Sequence, residues 1–120
     1  MAHKSVTKHR SAAFDRQGGC CYYCGFHMWR ENPVAFAHLH GLSLRHARYF
    51  QCTAEHLVAR QDGGRDTQSN IAAACLLCNQ RRHKRKNALE PQGYMILVQK
   101  RLGKGGWHQL PAGTHCHSDH

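Results

Sequence analysis

The sequence predicts a small, single-domain α+β protein built around a bound metal ion. Three observations predict it. Cys21-Tyr22-Tyr23-Cys24 and Cys75-Leu76-Leu77-Cys78 are a split set of C-x-x-C turns, and two such turns can close one tetrahedral thiolate site. Two short strand-like segments lie between these halves and flank a glycine turn, Gln61-Asp62-Gly63-Gly64. Helix-like stretches lie on either side of that centre. At 120 residues one domain is expected, and a core of that size gains from a staple.

Residues 1–4 are expected to fray. Ser5–Gln17 reads as a helix capped by Ser5 or Thr7. Gly18-Gly19 ends it, because glycine accepts the left-handed conformation past a helix C-terminus. Cys21–Gly25 is a tight knuckle. Residues 26–48 hold four histidines (His27, His38, His40, His46) and a turn signal, Asn32-Pro33, without a clear period. Tyr49–Val58 has strand composition. Asn70–Ala74, after the glycine turn, is a second short strand leading into the second knuckle. A helix then starts at Leu76 or Asn79 and runs to about Leu89. Glu90-Pro91 breaks it, and proline suits the first turn of a following helix. That helix, Gln92–Leu102, has an apolar face of Tyr94, Met95, Leu97, Val98 and Leu102 and stops at Gly103. Met95–Val98 taken alone also reads as a strand. The domain is expected to span 1–104, with 105–120 a flexible tail.

Cys21, Cys24, Cys75 and Cys78 are the expected ligands of a structural Zn2+, since four thiolates leave no position for water. The gap of 50 residues between the pairs is long, but loop-closure entropy grows only logarithmically. Cys20 competes with Cys21 through a C-x-x-x-C spacing. The N-terminus is basic and polar, without the apolar centre of a signal peptide, and no run reaches transmembrane length. The expected location is therefore cytoplasmic, where paired C-x-x-C turns bind metal rather than form disulfides. His38-x-His40 and the terminal His115-Cys116-His117-Ser118-Asp119-His120 are also metal-capable. They read more simply as ordinary histidines and a loose end.

The formal charge is +10, from 17 Lys and Arg against 7 Asp and Glu. Such an excess creates a field that favours a polyanionic partner, and nucleic acid is the favoured class. The charge concentrates at Arg81-Arg82-His83-Lys84-Arg85-Lys86. These residues, with Arg60, are expected to contact phosphate, which positions a backbone without reading bases. Arg45, Arg48, Arg65, Lys100, Arg101 and Lys104 extend the basic surface. Binding through such contacts weakens steeply with salt.

The segments C-Y-Y-C-G, E-H-L-V-A-R-Q-D-G-G and N-I-A-A-A-C-L-L-C-N, in that order, resemble the HNH endonuclease family, whose fold is the ββα-metal or His-Me finger. The resemblance covers residues 21–86. It implies a metal-dependent endonuclease that hydrolyses or nicks DNA. His56 falls at the general base that activates the attacking water, a task suited to histidine near neutral pH. Glu55 falls at the acidic ligand of the catalytic divalent ion. Asn70 falls at the asparagine that braces the loop carrying the histidine. Asn79 falls at the second metal ligand. His83, four residues on, shares its helical face, so both are candidates. A divalent ion neutralises the phosphate and stabilises the leaving 3′ oxygen. Glu55 and Asn79 suit Mg2+ or Mn2+, whereas His83 favours another divalent transition metal. Three features depart from the family pattern. Glu55 replaces a commoner aspartate, Ala59 replaces a common proline, and the segment from Gly25 to Glu55 is longer than in compact members.

A second class of function shares most of these residues. A non-catalytic, zinc-stabilised nucleic-acid-binding module would keep the four cysteines and the basic helix but give Glu55-His56 no chemical task. A thiol redox or metal-handling protein is a third reading, disfavoured by the two matching pairs and the absence of a βαβ pattern.

Overall fold

The computed structural model describes residues 2–108 and Cys116, with side chains from Ser5 onward. Its elements are α1 (Ala2–Arg16), α2 (Pro33–His40), α3 (Leu44–Ala47), β1 (Cys52–His56), β2 (Ile71–Cys75), α4 (Leu76–Lys84) and α5 (Pro91–Gly103). Single turns of 3-10 helix cover Arg48–Phe50 and Arg60–Asp62. The architecture is the small α+β domain expected from sequence.

β1 and β2 form an antiparallel ribbon with Cys52 opposite Cys75 and His56 opposite Ile71. All five residues of β2, Ile-Ala-Ala-Ala-Cys, are buried. Alanine leaves room for neighbours to approach, and α1 and α4 both pack against the ribbon. The outer edge of β2 is capped. The Gln17 side chain donates to Ala73 O at 2.8 Å and accepts from Ala73 N at 3.0 Å, while Tyr22 N donates to the same carbonyl. A paired edge is no longer a template for another strand. The core continues through Tyr23, Phe50, Tyr94 and Val98, with Tyr23 and Tyr94 edge-to-face at 4.8 Å.

Several boundaries differ from the sequence reading. α1 starts at Ala2 rather than Ser5. The illegible stretch contains α2, and its signal was Asn32-Pro33: Asn32 Oδ1 accepts from Ala35 N at 3.0 Å, and Pro33 opens the first turn. Tyr49 and Phe50 belong to a 3-10 turn, not to β1, because the buried Phe50 ring is a core anchor. α4 ends at Lys84 rather than near Leu89. Arg85 is extended, and Arg82 Nε binds Leu89 O at 3.1 Å, drawing the chain back across the helix. α5 is helical throughout, which settles the Met95–Val98 ambiguity.

Part of the expected tail lies among the described residues. Trp107 and His108 pack onto the core, and Cys116 forms a disulfide with Cys20. Residues 109–115 and 117–120 lie outside the described set. Among the described residues no helix is long and apolar enough to cross a membrane.

Candidate active site and metal centre

The two knuckles meet as their spacing required. The sulfurs of Cys21, Cys24, Cys75 and Cys78 all lie within 4.8 Å of one another. Cys24 Sγ is 3.8 Å from Cys75 Sγ, the edge of a tetrahedron with metal–sulfur bonds of about 2.3 Å. Cys20 is outside the set, so Cys21 is the first-knuckle member. Donors point at the sulfurs: Tyr23 N at 3.4 Å and Cys75 N at 3.2 Å from Cys21, and Trp107 Nε1 at 3.2 Å from Cys78. Burial pushes the Cys75 and Cys78 thiols well above their usual range. At Cys21 burial is outweighed by hydrogen bonds from the Cys24, Cys75 and Cys78 thiols, which hold it well below. A buried cation would favour the thiolate at each sulfur. The four cysteines could bind zinc.

A second constellation forms at the end of β1. Alternation along the strand turns Glu55 inward and His56 outward. Glu55 is fully buried. Its Oε2 accepts from Tyr23 OH at 2.8 Å and Arg82 Nη1 at 2.9 Å. Burial, then the Glu55 charge, pushes the Tyr23 hydroxyl far up, so it stays a donor. Oε1 of Glu55 faces His83 Nε2, from α4, at 2.8 Å. Two neighbouring ligands of an octahedral ion with bonds of about 2.1 Å sit about 3 Å apart, so this pair fits one divalent cation.

His56 pairs with a residue the sequence reading did not single out. Its Nε2 is 2.7 Å from Asp66 Oδ1, and Arg60 Nη2 holds Asp66 Oδ2 at 3.1 Å. The His56 hydrogen bond, followed by the Arg60 charge, lowers the Asp66 carboxyl below its ordinary value. A carboxylate at that distance takes the Nε2–H, which leaves Nδ1 as the proton acceptor.

The loop between β1 and β2 is tied down from both sides. Asn70 Oδ1 accepts from Val58 N at 2.8 Å, and Nδ2 donates to Val58 O and Arg65 O, both at 3.0 Å. The glycine pair is required sterically. Gly63 has φ +91, and a Cβ on Gly64 would lie 1.7 Å from Val58 O. Asp66 is thereby placed opposite His56.

The remaining candidates divide. Asn79 turns to β1, donating to Thr53 Oγ1 at 2.9 Å and Ala54 O at 3.1 Å; His83 is the one beside Glu55. Arg82, expected at phosphate, is 5% exposed. Besides Glu55 it bonds the carbonyls of His56, Leu57 and Leu89. It is a buried counter-ion, because the buried Glu55 charge needs one. Arg60 is half spent on Asp66. Arg81 is exposed and lies over the Trp107 ring at 4.7 Å. Lys84, Arg85 and Lys86 are exposed. His83, Arg85 and Lys86 line a groove of about 370 Å³ with Leu57 and Val58.

The family model of HNH endonucleases matches residues 21–85, just over half of the chain. The chain belongs to the HNH endonuclease family. No curated protein and no solved structure matches it significantly. HNH domains are nucleases in general, so this domain has a nuclease-type fold, a nucleic acid as the substrate its family implies, and divalent metals as the family's ions. The HNH match runs from the first cysteine of the thiol cluster to the end of α4, and therefore spans both sites, Asp66 included. Sequence reasoning missed Asp66, Tyr23 and the buried role of Arg82. An aspartate in the loop after the histidine was the only local hint; the other two depend on tertiary packing.

Proposed function

We propose that this HNH domain is a metal-dependent endonuclease that hydrolyses or nicks DNA phosphodiester bonds. The observation that carries the proposal is the juxtaposition of two functions at one strand end: Glu55 Oε1 and His83 Nε2 at 2.8 Å, beside a His56–Asp66 pair at 2.7 Å. Binding DNA would require neither.

His56 Nδ1 accepts a proton from the attacking water, and Asp66 orients the ring and stabilises its protonated form. Glu55 and His83 would hold the divalent ion. When bound, that ion neutralises the phosphate and the leaving 3′ oxygen. Tyr23 and Arg82 keep the Glu55 carboxylate oriented, so that Oε1 remains available. Mg2+ or Mn2+ suits the carboxylate, and His83 extends the choice to softer divalent ions. Asn79 braces α4 against β1. Asn70 keeps the loop closed around Asp66. Arg85, Lys86 and Lys84 hold the phosphate backbone, with little base discrimination. Zn2+ in the thiol centre is structural.

A titration of divalent ions against supercoiled plasmid tests the reading. Nicking should require Mg2+ or Mn2+, and His83→Ala should raise the ion concentration needed by about 10–100-fold with the fold unchanged. Salt-sensitive DNA binding without cleavage at any ion concentration would instead assign the domain to non-catalytic nucleic-acid binding.

A further inference from the structure

Cys20, His27 and Cys116 bring their ligand atoms within 4.8 Å of one another, in a cluster separate from the four-thiol centre. We propose that they form a second metal site, for zinc, which staples the C-terminal segment to the first knuckle.

Three elements build it. Cys20 and His27 face each other across an isolated antiparallel bridge, which projects both side chains from one face. Cys116 is brought to them by its own backbone, whose N–H donates to Gly25 O at 2.8 Å. His27 Nδ1 then lies 3.2 Å from Cys116 Sγ. His40, from α2, stacks on His27 with ring centroids 5.8 Å apart and stays outside the three-ligand cluster. Two thiolates and one imidazole are a zinc-type donor set that leaves the fourth position to water.

In the structure Cys20 and Cys116 are joined as a disulfide. A disulfide makes no use of an imidazole nitrogen aimed at its sulfur, whereas a metal site does. The remaining cysteines, Cys21, Cys24, Cys52, Cys75 and Cys78, are not disulfide-bonded. The reducing conditions that keep the four-thiol centre able to load metal also open this bond. A dithiol reductant supplies two electrons and two protons, becoming a disulfide itself, and Cys20 and Cys116 become thiols. Zinc then displaces the two thiol protons. The Cα atoms are 6.1 Å apart, so side-chain rotation suffices to part the sulfurs to about 3.8 Å, the tetrahedral edge.

The consequence is mechanical. Trp107 and His108 cover the four-thiol centre and lie between α5 and Cys116 in the chain. Anchoring Cys116 holds that cover in place. Cys20 and Cys21 are adjacent in sequence, so one knuckle serves two ions without sharing a ligand.

The test is a zinc count on the full chain, loaded with excess zinc in a phosphine reductant, freed of unbound metal, and analysed by native and elemental mass spectrometry. Wild type should hold two zinc ions per chain. His27→Ala and Cys116→Ser should each hold one, with an unchanged far-ultraviolet circular dichroism spectrum, because neither touches the four-thiol set. A reduced wild type that holds one zinc, with Cys20 and Cys116 both open to alkylation, overturns the proposal without reliance on any variant. Two zinc ions retained in both variants would overturn it as well.

Discussion

The four-thiol centre is closed on every side. Its cysteines are between 0% and 4% exposed, and the groups around it are backbone amides, an indole and an imidazole. The site at the end of β1 is closed on one side only: Glu55 is fully buried, while the His83 side chain is 38% exposed. Both draw on the same ribbon and on opposite ends of the same helix, Cys78 near the start of α4 and His83 in its last turn. A saturated thiolate shell can only hold the fold together. A half-open shell of one carboxylate and one imidazole leaves positions for water and phosphate. On the proposed function, the difference separates a stability site from a reaction site within a single small domain, and each should fail in its own way.

Stripping the thiol centre should have the largest effect. Binding a structural zinc is worth about 10–16 kcal/mol in small zinc domains, comparable to the whole stability of an ordinary domain, about 5–15 kcal/mol. Chelation, or Cys78→Ser, should abolish the cooperative thermal transition. A native-like melt in the metal-free chain would break the comparison at its first half.

Arg82 comes next, because it sits behind the reaction site yet acts on stability. Arg82→Ala leaves the buried Glu55 carboxylate with only Tyr23 and His83 and without its arginine counter-ion, which costs up to about 3–5 kcal/mol; urea unfolding should show the loss. Equal stability of variant and wild type would mean that His83 suffices as the partner of Glu55.

Asp66→Asn separates positioning from folding. It should lower nicking by about 10–100-fold and leave zinc content and melting unchanged. The pH dependence has a definite sign. The folded Asp66 carboxyl lies below its ordinary value of 3.8, so its contribution is complete above that value and is lost only as pH falls through the lower folded value. The carboxylate is therefore fully ionised above about pH 5 and adds no titration of its own there. Undiminished nicking by Asp66→Asn would mean that Asp66 does not position His56.

The smallest effect belongs to the rim. Arg85→Ala should change stability by less than about 0.5 kcal/mol and reduce the salt slope of DNA binding by about one unit. Loss of stability comparable to that of Arg82→Ala would erase the distinction between the two arginines.

The same contrast explains what was legible in the sequence. The thiol centre is written as two local spacings, each a turn whose geometry presents two sulfurs, so Cys21, Cys24, Cys75 and Cys78 could be read directly. β1, β2, α4 and α5 were visible as short periodic or apolar runs between glycine and proline signals. The buried face of the reaction site was not visible. Tyr23, Arg82 and Asp66 come from a knuckle, a helix and a loop, and their convergence on Glu55 and His56 is a property of the packed ribbon. Arg82 was the most misleading, since a buried arginine in a basic run looks the same in sequence as its exposed neighbours. α2 was missed because its eight residues have no amphipathic period; the cap at Asn32 and Pro33 was the available signal.

The central claim is that His56 is a base acting on water at a site distinct from the four-thiol core. The most direct measurement is metal-dependent nicking of supercoiled plasmid by wild type and His56→Ala, prepared with equal zinc content and equal melting temperature. The account predicts a fall of about 10²–10⁴-fold in the variant, with DNA binding retained. Equal metal-dependent nicking by both proteins would contradict it.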